Sequence, residues 1–236
     1  MKKTLLTIAA IALSVSMAFA QDDRLSGIEN LPDRKSEVTD DGEFKKADID
    51  LIQYMGYGVH AVKSDAYTSK GFGSGQFYLN LLSAYIRPVS WLSLNVGADV
   101  AWDYYGSKNK RFELDPSNNI VSRDMTADEK HSSINTTSFL FPGTIRFYAG
   151  DWTFRAGAEA ILNVRAGVNA ELRNGNTRTY IETSKANINR WGYDFVAGLS
   201  YDGIGVFVKY MPETVRQFPE PGPSLERWTF GLSLGF

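Results

Sequence analysis

The sequence contains no cysteine, only two histidines and, beyond its first 20 residues, no long apolar run. Without cysteine the chain can form neither a disulfide framework nor a lipid-attachment site behind a signal sequence. A formal net charge of -2, from 25 basic and 27 acidic residues, gives no electrostatic case for binding nucleic acid. Nothing beyond residue 20 is apolar enough over a sufficient length to form a transmembrane helix. The sequence therefore argues against a disulfide-stabilised domain, a helical membrane protein and a nucleic-acid-binding protein.

The N-terminus has the features of a secretory signal peptide. Lys2 and Lys3 precede an apolar run that extends from residue 5 to residue 15. Ala18-Phe19-Ala20 then places small residues at a cleavage point before Gln21. Because the run is short for a membrane-spanning helix, we predict Sec-type export and removal of residues 1–20.

From Ile49 onward, apolar side chains recur at every second position in eight segments, which is the pattern of half-buried β-strands. The last segment shows it most clearly, because one face carries Trp228, Phe230, Leu232, Leu234 and Phe236. Short connections, such as Asp202-Gly203, alternate with long ones along the chain. This alternation predicts an all-β fold, an eight-stranded antiparallel up-and-down β-barrel over residues 48–236. Pro142 lies inside the fourth segment, where we expect a local irregularity of the strand.

Alternation alone leaves open whether the apolar face points outward, so a soluble barrel that buries a ligand is the competing hypothesis. Aromatic residues gather near both ends of the strands, with aliphatic residues and alanine between them. Those near the short turns are Tyr85, Trp91, Phe147, Tyr148, Trp152, Tyr201 and Phe236. Those near the long connections are Trp102, Tyr104, Tyr105, Trp191, Tyr193, Tyr210 and Trp228. Two aromatic girdles around an apolar belt predict a barrel that spans a membrane.

On this pattern, and on its final strand, the sequence resembles the small outer-membrane β-barrel proteins. These include the eight-stranded OmpA and OmpX type and the broader porin-like outer-membrane barrel group. The resemblance covers residues 48–236 and implies the cell outer membrane of a Gram-negative bacterium, with short periplasmic turns and long extracellular loops. It also implies that the final strand is the signal read by barrel-assembly machinery, through Trp228, Phe230, Leu232, Leu234 and Phe236.

Residues 21–47 are charged and contain few apolar side chains, so they cannot bury enough surface to order themselves. We predict that they form a disordered periplasmic leader. A docking arm for a partner is the alternative interpretation of this segment.

An outward apolar face would turn the polar face of each strand toward the lumen. Six charged residues on that face are the candidate site: Asp99, Arg146, Arg155, Glu159, Asp194 and Lys209. An eight-stranded barrel is only wide enough for its own side chains, and buried charges need partners. We therefore predict an ion-pair network that plugs the lumen, with Glu159 and Lys209 as one pair. The alternative is a charge-lined conduit.

Few residues offer enzyme or metal chemistry. Only His60 and His131 could act as an imidazole base, and we expect His60 to be a rim residue. His131-Ser132-Ser133 resembles the spacing of outer-membrane deacylases, but no glutamate follows within the next strand. The acidic residues near His131 match neither a calcium loop nor a zinc pattern. We predict no catalytic, cofactor-binding or metal site, and therefore no enzyme.

The leading functional hypothesis is a monomeric barrel with a plugged lumen in a structural, adhesion or interaction role. Its partners would be outer-membrane lipid, barrel-assembly machinery during biogenesis, and an extracellular ligand that meets the loops at 104–134 and 165–189. The alternatives are a narrow porin-like channel for ions or small solutes and an outer-membrane lipid-modifying enzyme.

Overall fold

β-Strands form most of the chain that the computed structural model describes, which comprises residues 47–64, 66–174 and 177–235. In chain order they are β1 (Ala47–Leu51), β2 (Tyr54–Lys63), β3 (Gly75–Val89), β4 (Leu92–Ser107), β5 (Lys110–Leu114), β6 (Ile120–Asp124), β7 (Glu129–Ala149), β8 (Trp152–Asn174), β9 (Thr177–Ala186), β10 (Trp191–Tyr201), β11 (Ile204–Met211) and β12 (Glu226–Gly235). A short 3-10 helix, Gly71–Gly73, precedes β3. Within these ranges, no helix has the length and apolar character needed to cross a membrane.

Three sequence predictions concern residues outside the described ranges. They are the cleaved signal peptide at 1–20, the disordered leader at 21–47, of which only Ala47 is described, and the terminal aromatic Phe236. These predictions stay predictions.

Eight strands close into a ring. The antiparallel order is β3, β2, β12, β11, β10, β8, β7 and β4, and β4 pairs again with β3. The last strand returns to the beginning of the barrel, because β12 pairs with β2 from Glu226 opposite Lys63 to Gly235 opposite Tyr54. The predicted eight-stranded antiparallel up-and-down barrel is confirmed.

Three two-residue turns lie at one end of the ring, here called the short-turn end. They join β3 to β4, β7 to β8, and β10 to β11. The last turn, Asp202-Gly203, has positive φ at both residues, 43° and 84°, and Gly150 in the preceding turn has a φ of 61°. Such turns match the twist of paired strands and favour Asp-Gly sequences. All connections of greater length therefore lie at the opposite end, the long-connection end.

The apolar face of each strand points away from the lumen. In β12, the four outward side chains from Trp228 to Leu234 are between 42% and 61% exposed, whereas Arg227 is 2% exposed. A soluble ligand-binding barrel would show the opposite arrangement. Exposed aromatic rings, including those of Trp91 and Trp191, lie toward the two ends of this belt. A continuous exposed apolar belt between aromatic girdles is the surface that a bilayer covers.

β-Bulges change which side chains face outward. A register shift between Asn80 and Leu82 reverses the phase of β3, so Tyr85 is only 7% exposed while Ile86 is 63% exposed. The prediction that Tyr85 belongs to the outer girdle is therefore wrong. A bulge inserts one residue and so exchanges the two faces of the strand beyond it. The prediction for Tyr105 is also wrong, for a different reason: Tyr105 lies on the same inward phase of β4 as Asp99 and Asp103 and is fully buried.

Pro142 also marks an irregularity, as expected. The ladder between β4 and β7 is interrupted there, because Val96 pairs with Gly143 and the next pair is Asp99 with Leu140. The register is the same on both sides of the gap. A proline cannot donate to the ladder, which accounts for an interruption without a shift.

The segments 104–134 and 165–189 are mostly strand rather than irregular loop. β4 extends to Ser107, the β5–β6 hairpin follows, and β7 begins at Glu129. β8 continues to Asn174, and β9 returns from Thr177 to Ala186. Their apolar residues pack into one cluster at the long-connection end, here called the cap cluster: Tyr67, Tyr105, Phe112, Ile120, Ile134, Ala166, Val168, Ala186, Met211, Val215, Phe218 and Leu225. Burial of these side chains explains why the segments order into strands.

A charge placed in the apolar belt tests the outward orientation. We expect Leu232→Arg to lower the free energy of unfolding in liposomes by about 2–4 kcal/mol, because an arginine near the bilayer midplane loses its hydration. As a control, Tyr180→Arg replaces an exposed side chain of β9 and should change stability by less than about 0.5 kcal/mol. Equal effects of the two substitutions would contradict a lipid-facing belt.

Candidate functional site

Asp103 is the centre of the upper lumen, on the side of the cap cluster. Its Oδ1 accepts hydrogen bonds from Arg227 Nη1 and Gln76 Nε2, both at 2.9 Å. Thr136 Oγ1 donates to its Oδ2 at 3.3 Å, and His60 Nε2 lies 3.2 Å from Oδ1. All five side chains are buried. Because a buried carboxylate is stable only with several donors around it, this cluster fixes the positions of β2, β3, β4, β7 and β12 relative to one another.

Arg227 extends this cluster in two directions. Its Nη1 donates to the Tyr105 hydroxyl at 2.6 Å, and its Nη2 donates to Asp194 Oδ2 at 3.2 Å. Tyr105 then donates to Gln217 Oε1 at 2.8 Å, in the connection between β11 and β12. The guanidinium thus links the lumen to the segment that covers it.

A second ion pair lies in the middle of the lumen. Lys209 Nζ donates to Glu159 Oε2 at 2.6 Å, and the same ammonium lies 4.4 Å from the centre of the Tyr78 ring. Asp99, by contrast, is held by neutral donors, Asn80 Nδ2 at 2.7 Å and the Tyr54 hydroxyl at 3.1 Å. Both carboxylates are buried and hydrogen-bonded.

The structure places all six sequence-predicted residues on the lumen side but does not join them into one network. It brings Glu159 and Lys209 together, and it pairs Asp194 with Arg227, which was not among the six. Among the described residues, neither Arg146 nor Arg155 forms an ion pair.

Asp103, Arg227 and His60 are the important residues that the six did not include. Each lies on the same inward phase of its strand as the predicted residues, so phase identifies them as lumen residues. Their convergence depends on β12 pairing with β2, which a single sequence does not specify.

The lumen has little free space. The cavity lined by Tyr54, Arg146, Arg155 and Glu159 has a volume of ≈ 10 Å³, which holds about one water molecule. Above it lie the two ion-pair clusters and then the cap cluster. Buried side chains of these clusters therefore occupy the middle and upper lumen, as expected for an eight-stranded barrel.

His60 lies inside the lumen, so its prediction as a rim residue is wrong. Its Nδ1 is 2.9 Å from Thr229 Oγ1, which places a hydroxyl, an imidazole and the Asp103 carboxylate in series. This is the order of groups in a hydrolase triad. However, all three side chains are buried and lie below the cap cluster, so no substrate reaches the hydroxyl. The arrangement acts as part of the polar packing of the lumen.

His131 does not meet a nucleophile either. Its Nε2 contacts the Tyr104 hydroxyl, and its Nδ1 lies 3.3 Å from Lys70 Nζ. Ser132 faces away from it and donates to the Asn169 carbonyl at 3.1 Å. Partial burial lowers the pKa of His131, and the neighbouring ammonium of Lys70 lowers it further.

Glu129 anchors the β5–β6 hairpin to β7. Arg123 Nη2 donates to Glu129 Oε1 at 2.6 Å, Arg111 contacts the same oxygen, and Arg123 also pairs with Glu113. The hydrogen bond from Arg123 holds the pKa of Glu129 well below its usual range. These carboxylates serve ion pairs, and the described residues contain no group of three or more His, Asp or Glu arranged to hold a metal.

β9 presents a free edge beyond the barrel. It pairs with β8 from Ala166 opposite Ala186 to Asn174 opposite Thr177, and no described strand pairs with its other side. We call the unpaired side of Thr177–Ala186 the β9 edge. The paired length corresponds to roughly 30 Å along the strand. Such an edge carries a row of N–H and C=O groups that a further strand can pair with.

Comparisons with known proteins add little beyond this geometry. No protein-family model matches the sequence, and no curated protein matches it. Among solved structures, the Neisserial surface protein A (NspA) is similar over 81% of this chain and 100% of its own, with 14% identity and a TM-score of 0.35. Ail, the attachment invasion locus protein of Yersinia pestis, in complex with the heparin analogue sucrose octasulfate, is similar over 81% and 98%, with 13% identity and a TM-score of 0.35. These superpositions are too loose to carry a functional argument.

A double-mutant cycle tests the central ion pair. We expect Lys209→Met to lower the free energy of unfolding by about 3–5 kcal/mol, because it leaves Glu159 buried without its cation. Adding Glu159→Gln should recover part of that loss, which gives a measurable coupling energy. The exposed pair of Lys63 and Glu226, 3.5 Å apart, is the matched control and should couple by less than about 1 kcal/mol. Additive effects at Glu159 and Lys209 would show that the contact contributes nothing.

Proposed function

We propose that this protein is an outer-membrane barrel with a closed lumen that binds other polypeptides at the bacterial surface. The β9 edge is the observation that supports this proposal most directly, because one side of this ten-residue strand has no partner among the described strands. In this proposal the short-turn end is periplasmic and the long-connection end is extracellular. The partner is an extended segment of another protein that adds to the sheet as a further strand.

The proposed location rests on the belt and on two features of the sequence. The exposed apolar belt needs a bilayer, and a signal peptide at 1–20 would direct export. The apolar face of β12 is available to barrel-assembly machinery before it is covered by lipid. Since strands pair within one chain around the whole ring, the barrel needs no second copy to close, which favours a monomer.

The properties of the β9 edge favour strand addition. Edge strands are commonly protected by proline, by bulges or by short length. β9 is ten residues long and contains no proline, and its one bulge lies near its C-terminal end, between Thr183 and Ala186, so the pairing from Thr177 to Thr183 is regular. Tyr180 and Ile181 are exposed near its centre, so they are available to hold alternate side chains of an added strand. The base of β9 is fixed, since Asn187 Nδ2 donates to the Ser117 carbonyl at 2.8 Å. An edge that is already held in place lowers the entropy cost of pairing.

Removal of the edge tests the proposed role. We expect a variant in which residues 170–181 are deleted, with Asn169 joined to Glu182 through Asn-Gly, to lose binding to an array of immobilised extended peptides. Asn169 and Glu182 are cross-strand partners, so this shorter hairpin keeps its register. The control variant carries Arg216→Gln and Glu220→Gln, which change an exposed ion pair in the connection between β11 and β12 and leave β9 intact.

Binding is measured with both variants folded in detergent, as judged by their faster migration in unheated samples on a denaturing gel. Unchanged peptide binding after loss of the β8–β9 tip would contradict the proposal. Equal loss in the two variants would also contradict it, because it would place binding elsewhere on the extracellular end.

Conductance separates this function from a narrow channel. With the ion-pair clusters in place, we expect no steady single-channel steps from the purified protein in planar bilayers. Substitution of the Arg227, Asp103 and Lys209 side chains by alanine should increase ion leakage, because these side chains occupy the upper and middle lumen. Regular steps from the unmodified protein would instead favour the channel.

A further inference from the structure

Two arginines face each other near the short-turn end of the lumen. Arg146 on β7 and Arg155 on β8 are direct cross-strand partners, three positions above the turn that joins the strands. Like charges in directly opposite positions destabilise a sheet. Both side chains are half-buried, so a nearby negative charge would stabilise the pair.

No described carboxylate supplies that charge by direct contact. Arg155 Nη2 donates to the Tyr78 hydroxyl at 3.3 Å, and Arg146 reaches only Gln53 Oε1, at 3.4 and 3.5 Å. Glu159 lies beside the same cavity, but its Oε2 accepts the short hydrogen bond from Lys209. Asp50 is linked to Arg146 through Gln53, whose Nε2 donates to Asp50 Oδ2 at 3.3 Å.

Both guanidiniums can donate further hydrogen bonds into one shared cavity. Arg146 Nε is buried and has no hydrogen-bond partner among the described residues. Arg146, Arg155, Thr144 and Asn95 all line one small cavity. The planar guanidinium groups are suited to carboxylate and phosphate oxygens, to which each can donate two parallel hydrogen bonds.

We propose that Arg146 and Arg155 bind one small anionic group, a carboxylate or a phosphate, that enters the barrel from the short-turn end. Entry from the other end is blocked by the ion-pair clusters and the cap cluster. The cavity volume of ≈ 10 Å³ accepts one oxygen at a time without rearrangement. The ligand is therefore a single anionic group presented end-on rather than a bulky solute.

A free anion in the surrounding solution can present this chemistry. Inorganic phosphate is a suitable probe, because its oxygens accept the parallel hydrogen bonds that a guanidinium donates.

Thermal unfolding of the full chain in detergent, titrated with inorganic phosphate at constant ionic strength, tests the proposal. We expect a saturable rise in the unfolding temperature of the unmodified protein. Arg146→Gln or Arg155→Gln should raise the half-saturating phosphate concentration about tenfold or more.

Two further variants control for nonspecific effects. Arg165→Gln removes an exposed arginine of the same strand and should leave the phosphate response unchanged. Arg146→Glu supplies a carboxylate directly opposite Arg155 and should abolish the response while keeping the barrel as stable as the anion-saturated protein. The proposal is overturned if the unfolding temperature of the unmodified chain does not respond to phosphate. It is equally overturned if the two Arg→Gln variants respond as the unmodified chain does.

Discussion

Closure of the hydrogen-bond ladder between β12 and β2 is the constraint on which the rest of the structure depends. In lipid, an unpaired backbone amide has no water to bond with, so a sheet that crosses a membrane must have no free edge there. The ten cross-strand pairs between β12 and β2 remove that edge. Closure also determines which side chains of the ring face lipid and which face the lumen. Arg227 and Trp228, adjacent in sequence, therefore lie in opposite environments.

Because the ring is closed, the side chains inside it must match one another in charge and in volume. Its upper and middle parts are filled by carboxylates with matched donors, with Asp103 and Glu159 each next to a buried cation. Toward the short-turn end the balance changes, because Arg146 and Arg155 face each other instead. Above the belt, apolar packing replaces charge pairing, and the cap cluster covers the mouth. One barrel thus contains three regions stabilised by different interactions.

Period-two alternation was sufficient to predict the eight strands, and the aromatic residues near both strand ends predicted the direction of their apolar face, because each is a local property of the chain. Tyr85 shows the limit, since a bulge near Leu82 shifts the phase without any marked change in composition. The cap cluster shows a second limit. Phe112, Val168 and Phe218 are far apart in sequence, and each lies in a polar stretch that alone suggests a loop. The contact of Glu159 with Lys209 follows from strand order plus register, whereas that of Arg227 with Asp103 spans the ring and needs its closure.

The unequal height of the barrel wall has a mechanical consequence. β7 and β8 are 21 and 23 residues long, whereas β2 and β12 on the far side of the ring have ten each. Suppose that a partner strand, added beside β9 as proposed, is pulled along the strand axis. Its hydrogen bonds would then be loaded in shear and share the force, rather than opening one at a time from an end. A contact of modest equilibrium affinity would in this way resist detachment under flow, with the load passed down β8 into the membrane-embedded ring.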